Sequence, residues 1–145
     1  MAHSITPLLD HHHSDWLTLA RGYKTFYQTP ITDAELDTAW RRLRAQDGLH
    51  GLGVEVNGRL LGLTHCLFHT STWAPTVCYL QDLFVAPEAR GQGLARAMIE
   101  AVAELARARQ AQRLYWLTQE DNRNARALYD QLAQFKGFVR YDYPL

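Results

Sequence analysis

The sequence has no excess of charge of either sign, because 15 lysine and arginine side chains balance 15 aspartate and glutamate side chains. Proteins that hold nucleic acid or an anionic membrane usually concentrate positive charge, so neither partner is expected. No stretch approaches the roughly 20 apolar residues of a membrane-spanning helix. Cysteine is scarce as well. Only Cys66 and Cys78 occur, too few for a disulfide framework, which favours a reducing, cytoplasmic location.

A metal site is not expected either. His11, His12 and His13 form the one conspicuous group of metal-ligand residue types. Three adjacent positions are too close in sequence to chelate one ion well, so a solvated loop is the expected structure.

What remains is an ordinary globular composition: 145 residues, 47% of them hydrophobic and 21% charged. A chain of this length buries roughly two-thirds of its unfolded surface. No repeat, low-complexity linker or internal boundary divides it. Residues 1–145 are therefore predicted to form a single domain.

Hydrophobic periodicity predicts an α+β fold, a mixed sheet with helices on both faces. Asn57-Gly58, between two apolar runs, predicts a type I′ hairpin. Ser14 and Thr32 are expected helix N-caps, Thr32 in a capping box with Glu35. The predicted order is a strand at 3–8, helices at 14–27 and 32–48, strands at 51–56, 59–69 and 79–85, a helix at 94–107, a strand at 113–118, a helix at 122–132 and a strand at 137–143.

The stretch from Tyr79 to Arg107 carries the strongest chemical signal. It predicts a buried strand, a polar turn and an amphipathic helix, because apolar residues recur at helical spacing from Leu94 onward. The turn places Gly91, Gly93 and Ala95 where the helix begins. The first N–H groups of a helix have no internal partner, and small residues let an anion approach them. The turn is therefore a candidate pyrophosphate site.

Two common phosphate motifs do not fit this turn. A P-loop requires Gly-Lys-Ser/Thr, which is missing, and the third glycine of a dinucleotide fingerprint falls on Arg96. The pattern R-x-x-G-x-A does fit, and it resembles the acyl-CoA loop of the GNAT superfamily of N-acyltransferases, whose mostly antiparallel sheet has the same element order. The resemblance implies acetyl-CoA as co-substrate, bound by Leu83, Phe84, Val85, Arg90, Gly91, Gln92, Gly93, Leu94, Ala95 and Arg96.

A second motif lies near the C-terminus. Residues 122–129 are similar to N-x-x-A-x-x-L-Y of the same superfamily. On a helix, Asn122, Arg126 and Tyr129 fall within about 60° of one another, which gives one face an amide, a cation and a phenol. The resemblance implies that Tyr129 is the general acid at the coenzyme sulfur. It also implies that Asn122, with Ala125 and Arg126, contacts the coenzyme.

The strand before the turn, YLQDLFV, is similar to Y-L-E-D-x-F-V of the diamine (spermidine/spermine) acetyltransferase branch. That branch has a glutamate, proposed as the base, where this chain has Gln81, which cannot accept a proton. Either water and another group serve, or the acceptor differs, or it arrives neutral. Asp82 is the nearest carboxylate and a second candidate. Strand alternation predicts that it faces away from Gln81, and a structural role remains equally open.

The predicted activity is transfer of an acetyl group to a primary amine of a small molecule or a protein. Tyr27, Trp73 and Gln81 are candidate acceptor-binding residues. The resemblance also implies a homodimer, with apolar contacts from Phe138, Tyr141 and Tyr143. An acyl-CoA-binding sensor without turnover and a general phosphate-binding domain remain alternatives, since function lies in the site and not in the fold.

Overall fold

The structure is a computed structural model that describes residues 2–145. Met1, which the single-domain prediction includes, lies outside the described residues. One five-stranded sheet forms the centre of the molecule, with strand order β1-β2-β3-β4-β5. The strands are β1 (Ser4–Pro7), β2 (Leu49–Val56), β3 (Arg59–His69), β4 (Val77–Val85) and β5 (Leu114–Tyr115), and the helices are α1 (His13–Phe26), α2 (Asp33–Ala45), α3 (Leu94–Ala108) and α4 (Arg123–Leu132).

Strands β1 to β4 form an antiparallel meander, and β5 joins β4 in parallel. Positive φ angles at Asn57 (51°) and Gly58 (77°) confirm the predicted type I′ hairpin between β2 and β3. Both residue types tolerate the left-handed region, which lets the chain reverse within two residues. The mixed, mostly antiparallel sheet expected from the sequence is confirmed.

Helices cover both faces of this sheet. Trp16 of α1 contacts His65 on β3, whereas Met98 of α3 lies over Gly62, three positions earlier on the same strand. Because successive strand residues point to opposite faces, an odd offset places the two helices on opposite sides. Trp16 and Met98 are 2% and 0% exposed, so each face buries its own apolar layer.

The start of α1 differs from the prediction. A 3-10 turn over Asp10–His12 runs directly into the helix, and the N-cap is His12, with no capping side chain. Ser14 lies inside the first turn, so its prediction as N-cap was wrong. Thr32 does cap α2, where its hydroxyl accepts from the N–H of Glu35 at 3.1 Å.

The C-terminal strand predicted at 137–143 is not formed. Residues 134–145 carry neither helix nor strand, and their large apolar side chains are exposed. The predicted strand at 113–118 shrinks to the two residues Leu114 and Tyr115, so β5 ends as soon as it has paired with β4. Alternation marks which residues suit a strand, but a strand also needs a hydrogen-bonding neighbour, and these residues have none within residues 2–145.

Among the described residues, none of the helices has the length and apolar character needed to cross a bilayer.

Candidate active site

A gap opens between β4 and β5. The two strands pair only at Cys78 with Leu114 and at Tyr79 with Tyr115. Beyond these pairs, β4 continues to Val85 without a neighbour on this edge, while the chain after Tyr115 leaves the sheet. Parallel strands that part in this way leave a cleft with backbone groups on its wall. The turn before α3 directly follows this end of β4, and α4 follows β5.

The turn before α3 presents unpaired backbone donors. Gly91 and Gly93 have φ angles of 78° and 79°, which only glycine adopts easily, and a Cβ at either position would touch nothing. Across the described chain, the N–H groups of residues 91–96 have no protein acceptor; the first bonded amide is that of Ala97, to Gly93 O at 3.0 Å. The turn is therefore open, positively polarised and suited to a pyrophosphate.

The arginines near this turn differ in their contacts. Arg90 donates from Nε to Val85 O at 3.2 Å, and its guanidinium lies 5.4 Å from the Phe84 ring centroid. Arg96 donates to Gln131 Oε1 at 2.6 Å, and this bond ties α3 to α4. Arg126 donates to Glu120 O at 2.8 Å. Arg123 is exposed and borders the surface cleft next to Asn122. An incoming phosphate can recruit Arg123 without breaking any of these three bonds.

A cluster of phenols and one carboxylate lies on the α1 side of the cleft. Tyr23 packs edge-on against both Tyr27 and Phe84, with centroids 5.0 and 5.9 Å apart. Burial, followed by the charge of Asp82, raises the pKa of Tyr23 and of Tyr27. Burial, together with Tyr27, raises the pKa of Tyr129 to about 12. The structure thus brings Tyr27, Asp82 and Tyr129 together. The phenols of Tyr23, Tyr27 and Tyr129 are protonated at neutral pH, because the pKa of each is raised.

Asp82 is held by β3. His65 lies opposite it in the register, and His65 Nδ1 lies 2.9 Å from Asp82 Oδ2. Burial alone raises the pKa of Asp82. Hydrogen bonds from His65 and Tyr23, with a smaller contribution from Lys24, outweigh burial and keep this pKa below its usual 3.8. Asp82 is therefore an anion at every physiological pH.

Gln81 occupies a β-bulge. The register shifts between His65 and Cys66, so that Asp82 pairs with His65 and Leu80 pairs with Cys66, which leaves Gln81 without an opposite residue. Strict alternation does not hold at such a bulge, so strand alternation does not set the relative directions of Gln81 and Asp82, and the expectation that they face opposite ways stays a prediction. Gln81 is exposed, whereas Asp82 interacts with His65 of β3 and with Tyr23 and Lys24 of α1.

Two other predicted residues are placed differently. Trp73 is 90% exposed in the loop before β4, near the opposite end of that strand from the phenol cluster. Asn122 is the N-cap of α4: its Oδ1 accepts from the N–H of Ala125 at 3.5 Å, and its amide donates to Thr118 Oγ1 at 3.4 Å. Asn122 therefore precedes the helix whose face it was predicted to share.

One group of side chains in the described chain has metal-ligand spacing: His11, His12 and Glu55. His12 Nδ1 accepts the Leu9 N–H at 2.9 Å, so the ring proton is on Nε2, where it is shared with Glu55 at 3.1 Å. A metal-bound histidine normally donates its second nitrogen to an acceptor. The bond from Leu9 reverses that arrangement, so this group does not suit a metal.

Sequence reasoning missed Tyr23 and His65 as site residues. Tyr23 lies on α1, and only the close approach of α1 to the sheet brings it to Asp82. A Cβ at the adjacent Gly22 would lie 3.1 Å from the Phe84 ring, which shows how close that approach is. His65 carried a signal, because it is a polar residue inside the apolar run GLTHCLF.

Known proteins resemble this chain in sequence. The family described as Acetyltransferase (GNAT) family matches residues 14–135. An uncharacterized N-acetyltransferase, YhfO of Bacillus subtilis, is 33% identical over 126 residues, which are 82% of this chain and 82% of that protein. A thialysine N-epsilon-acetyltransferase of Caenorhabditis elegans is 35% identical over 82 residues, and a D-amino-acid N-acetyltransferase of Saccharomyces cerevisiae is 35% identical over 85. The aligned regions are 57% and 58% of this chain, and they span about half the length of those two relatives (51% and 53%).

Solved structures show the same fold. A ribosomal-protein-alanine N-acetyltransferase from Brucella melitensis superposes with a TM-score of 0.85 at 21% identity, over 99% of this chain and 100% of that one. An aminoglycoside N-acetyltransferase in complex with CoA superposes with a TM-score of 0.87 at 16% identity, over 99% and 95%. At these identities the likeness concerns the fold alone.

Proposed function

This chain belongs to the acetyltransferase (GNAT) family, and on that premise we propose that it transfers the acetyl group of acetyl-CoA to a primary amine of a small molecule. One observation supports this most strongly. The amides of residues 91–96, which directly follow β4, have no protein acceptor in the described chain, and Asp82 and Tyr129 are both electrostatic neighbours of Tyr23. The phosphate site, the phenol that faces the leaving thiolate and the acceptor-binding carboxylate are proposed to share the opening beside the free edge of β4.

The coenzyme is proposed to bind along this opening. The amides of Gly91, Gln92, Gly93, Leu94, Ala95 and Arg96 take the pyrophosphate, with Arg90 beside them. Leu83, Phe84 and Val85 supply the unpaired strand edge, and Asn122, Ala125, Arg126 and Tyr129 form the opposite wall. The exposed Arg123 adds a cation at the entrance. Acetyl-CoA contributes a thioester whose carbonyl carbon is open to an amine.

Tyr129 is proposed to assist departure of the thiolate as a hydrogen-bond donor. Its pKa is about 12, and a thiol has a pKa near ~8.5, so complete proton transfer is uphill by about 5 kcal/mol. A donor that keeps its proton still stabilises negative charge that grows on sulfur. Burial serves this role, because it holds the phenol protonated.

Asp82 is proposed to bind the acceptor as its ammonium ion. An alkylammonium has a pKa near ~10.4, so passing its proton to a carboxylate with a pKa at or below ~3.9 costs at least about 9 kcal/mol. Asp82 is consequently an orienting anion and not the final proton acceptor. The proton leaves through water at the exposed Gln81, and Tyr27 contacts the alkyl part of the acceptor. Trp73 is proposed to contact longer acceptors from the loop before β4.

The curated relatives suggest which amines to try. Their names specify thialysine, an amine-bearing amino acid, and D-amino acids. Small amino acids and diamines are therefore the first acceptors for this chain, followed by peptides with a free N-terminus or lysine.

The decisive experiment measures free thiol release from acetyl-CoA in the presence of these amines. The expected result is release with at least one primary amine and N-acetylated product by mass spectrometry. CoA binding without release for every amine would instead favour a sensor. Equal affinity for CoA and for ADP or pyrophosphate alone would favour a general phosphate-binding domain.

A second copy of this chain is the proposed partner. The side chains of Phe138, Tyr141 and Tyr143 are 85%, 90% and 87% exposed, a concentration of apolar surface that single soluble chains seldom leave uncovered. The edge of β5 has no further strand beside it within the described residues. A homodimer that covers the segment at 134–145 accounts for the exposed apolar side chains and for the unpaired edge of β5. Sedimentation analysis should give a dimer for the full chain, and Phe138→Ser with Tyr141→Ser should shift it toward monomer.

A further inference from the structure

A chain of hydrogen bonds runs from the core under α1 to the proposed acceptor site. The indole N–H of Trp16 donates to Nε2 of His65 at 3.0 Å, and Nδ1 of His65 lies 2.9 Å from Oδ2 of Asp82. Trp16 is 2% exposed, and the His65 side chain is 12% exposed, so water competes little for these bonds. The proposed acetyl transfer assigns no role to Trp16 or His65.

The donors and acceptors in this chain fix the position of one proton. An indole N–H is a donor only, so the His65 Nε2 that faces it must offer a lone pair. The ring proton of His65 is therefore on Nδ1, where it is donated to the Asp82 carboxylate. A second proton on Nε2 would place two N–H groups against each other, so the bond from Trp16 opposes the imidazolium form.

The neutral ring leaves the charge of Asp82 without an equal opposite charge beside it. The groups that face Asp82 are Tyr23, Lys24 and Tyr27 from α1, His65 from β3 and Tyr79 from β4, and Tyr129 of α4 faces the same phenols. The pKa of each of the four phenols is raised, chiefly by burial, so they are neutral. Lys24 also lowers the pKa of Asp82, but its effect is the smallest of those that do.

We propose that Trp16 and His65 are positioning residues that keep the acceptor site anionic. Trp16 holds His65 neutral, and His65 holds the carboxylate of Asp82 in place, so the site selects a cationic alkylammonium over a neutral or anionic acceptor. This inference rests on the proposed function, because it takes Asp82 as the anchor of the amine. It adds a specificity role for two residues that do not touch substrate.

The first test does not depend on activity. Nitrogen-15 NMR of the wild-type chain between pH 5.5 and 8 should show His65 with a protonated Nδ1 and an unprotonated Nε2 throughout. The His65→Asn variant identifies the resonance among the seven histidines. A protonated Nε2 at pH 7, or a change of the ring across this range like that of exposed histidines, overturns the inference whether or not the chain is an enzyme.

The second test uses Trp16→Phe, which keeps the aromatic ring and removes the N–H donor. A histidine without such a donor gains its second proton between about pH 5 and 8. The KM for a cationic amine should match wild type at pH 8 and rise about tenfold over wild type at pH 6, the size of one charged hydrogen bond. The kcat relative to wild type and the KM for acetyl-CoA should not change.

The double variant Trp16→Phe with His65→Asn provides the rescue. Asparagine can donate to Asp82 but cannot ionise, so the pH dependence of KM should disappear. Trp40→Phe is the matched control. Trp40 is 7% exposed, and its ring lies 5.2 Å from that of Trp16, but Trp40 takes no part in the hydrogen bonds that link Trp16, His65 and Asp82. The same KM rise in Trp40→Phe would mean that general loosening of the core, and not the donor, is responsible. Absence of any acetyl transfer in wild type contradicts the proposed function alone.

Discussion

The ring of Tyr129 packs edge-on against the ring of Trp116, with centroids 5.4 Å apart and an interplanar angle of 68°. Trp116 follows directly after β5, at the point where the chain leaves the sheet. This contact fixes a phenol of α4 beside the residue that follows β5, although α4 is the last helix of the described chain. Within residues 2–145, the proposed hydrogen-bond donor Tyr129 is therefore positioned by side-chain packing and not by a hydrogen bond of its hydroxyl.

Tyr129→Phe is expected to lower kcat about 10²- to 10³-fold, the usual effect of losing one donor to a growing anion. The ring and its packing on Trp116 remain, so the dissociation constant of CoA should be unchanged. Stopped-flow thiol release and calorimetric titration with CoA measure the two quantities. Tyr143→Phe, which alters an exposed tyrosine, is the control. A parallel loss of CoA affinity in Tyr129→Phe would show that the residue is structural.

Gly93→Ala is expected to weaken CoA binding about tenfold. Alanine in the left-handed conformation of Gly93 is strained by about 1.4 kcal/mol, and relief of this strain moves the amides at the start of α3 away from the pyrophosphate. Gly58→Ala is a matched control, since φ is 77° there and 79° at Gly93, and neither Cβ meets another atom. Both variants should lose similar thermal stability, but only Gly93→Ala should lose CoA affinity. Equal CoA binding by the two variants would remove the pyrophosphate role from this turn.

Gln81→Glu is expected to raise kcat with diamines, because it adds a proton acceptor at the exposed bulge of β4. The gain should be greatest near pH 7, where an alkylamine of pKa ~10.4 is only about 0.04% neutral. Initial rates across pH 6.5 to 9 test this. A variant with unchanged rates at every pH would indicate that removal of the amine proton does not limit turnover.

Asp82→Asn is expected to destabilise the fold by roughly 1 kcal/mol at neutral pH, because His65 then donates to a neutral oxygen. The folded-state pKa of Asp82 lies below its usual 3.8. The stability that this carboxylate contributes is therefore complete above the unfolded pKa and is lost as the pH falls through the folded one. Urea unfolding should show a constant difference from wild type between pH 5 and 7, and a shrinking difference below about pH 4. Asp142→Asn, at an exposed C-terminal residue, should show little difference at either pH.

Local rules were sufficient for much of the fold. Asn57-Gly58 forms the predicted I′ turn, and Thr32 caps α2 as predicted. The prediction of Ser14 as N-cap was wrong because a 3-10 turn continues directly into α1, so the helix begins before Ser14. The strand predicted at 137–143 has the right residues but no neighbour to pair with inside this chain. Hydrophobic periodicity indicates which face of a segment can be buried, but it does not indicate which segment lies beside it.

The sequence by itself determined the elements of the sheet and its two helix layers, and the glycine turn before α3, because each depends on residues close together in the chain. Tertiary structure alone decided that Asp82 meets His65, that His65 meets Trp16, and that Gln81 falls in a bulge. These relations depend on the register of β3 against β4 and on the depth at which α1 packs. Register and packing depth sum many weak contacts between distant segments, and no short pattern in the sequence encodes such a sum.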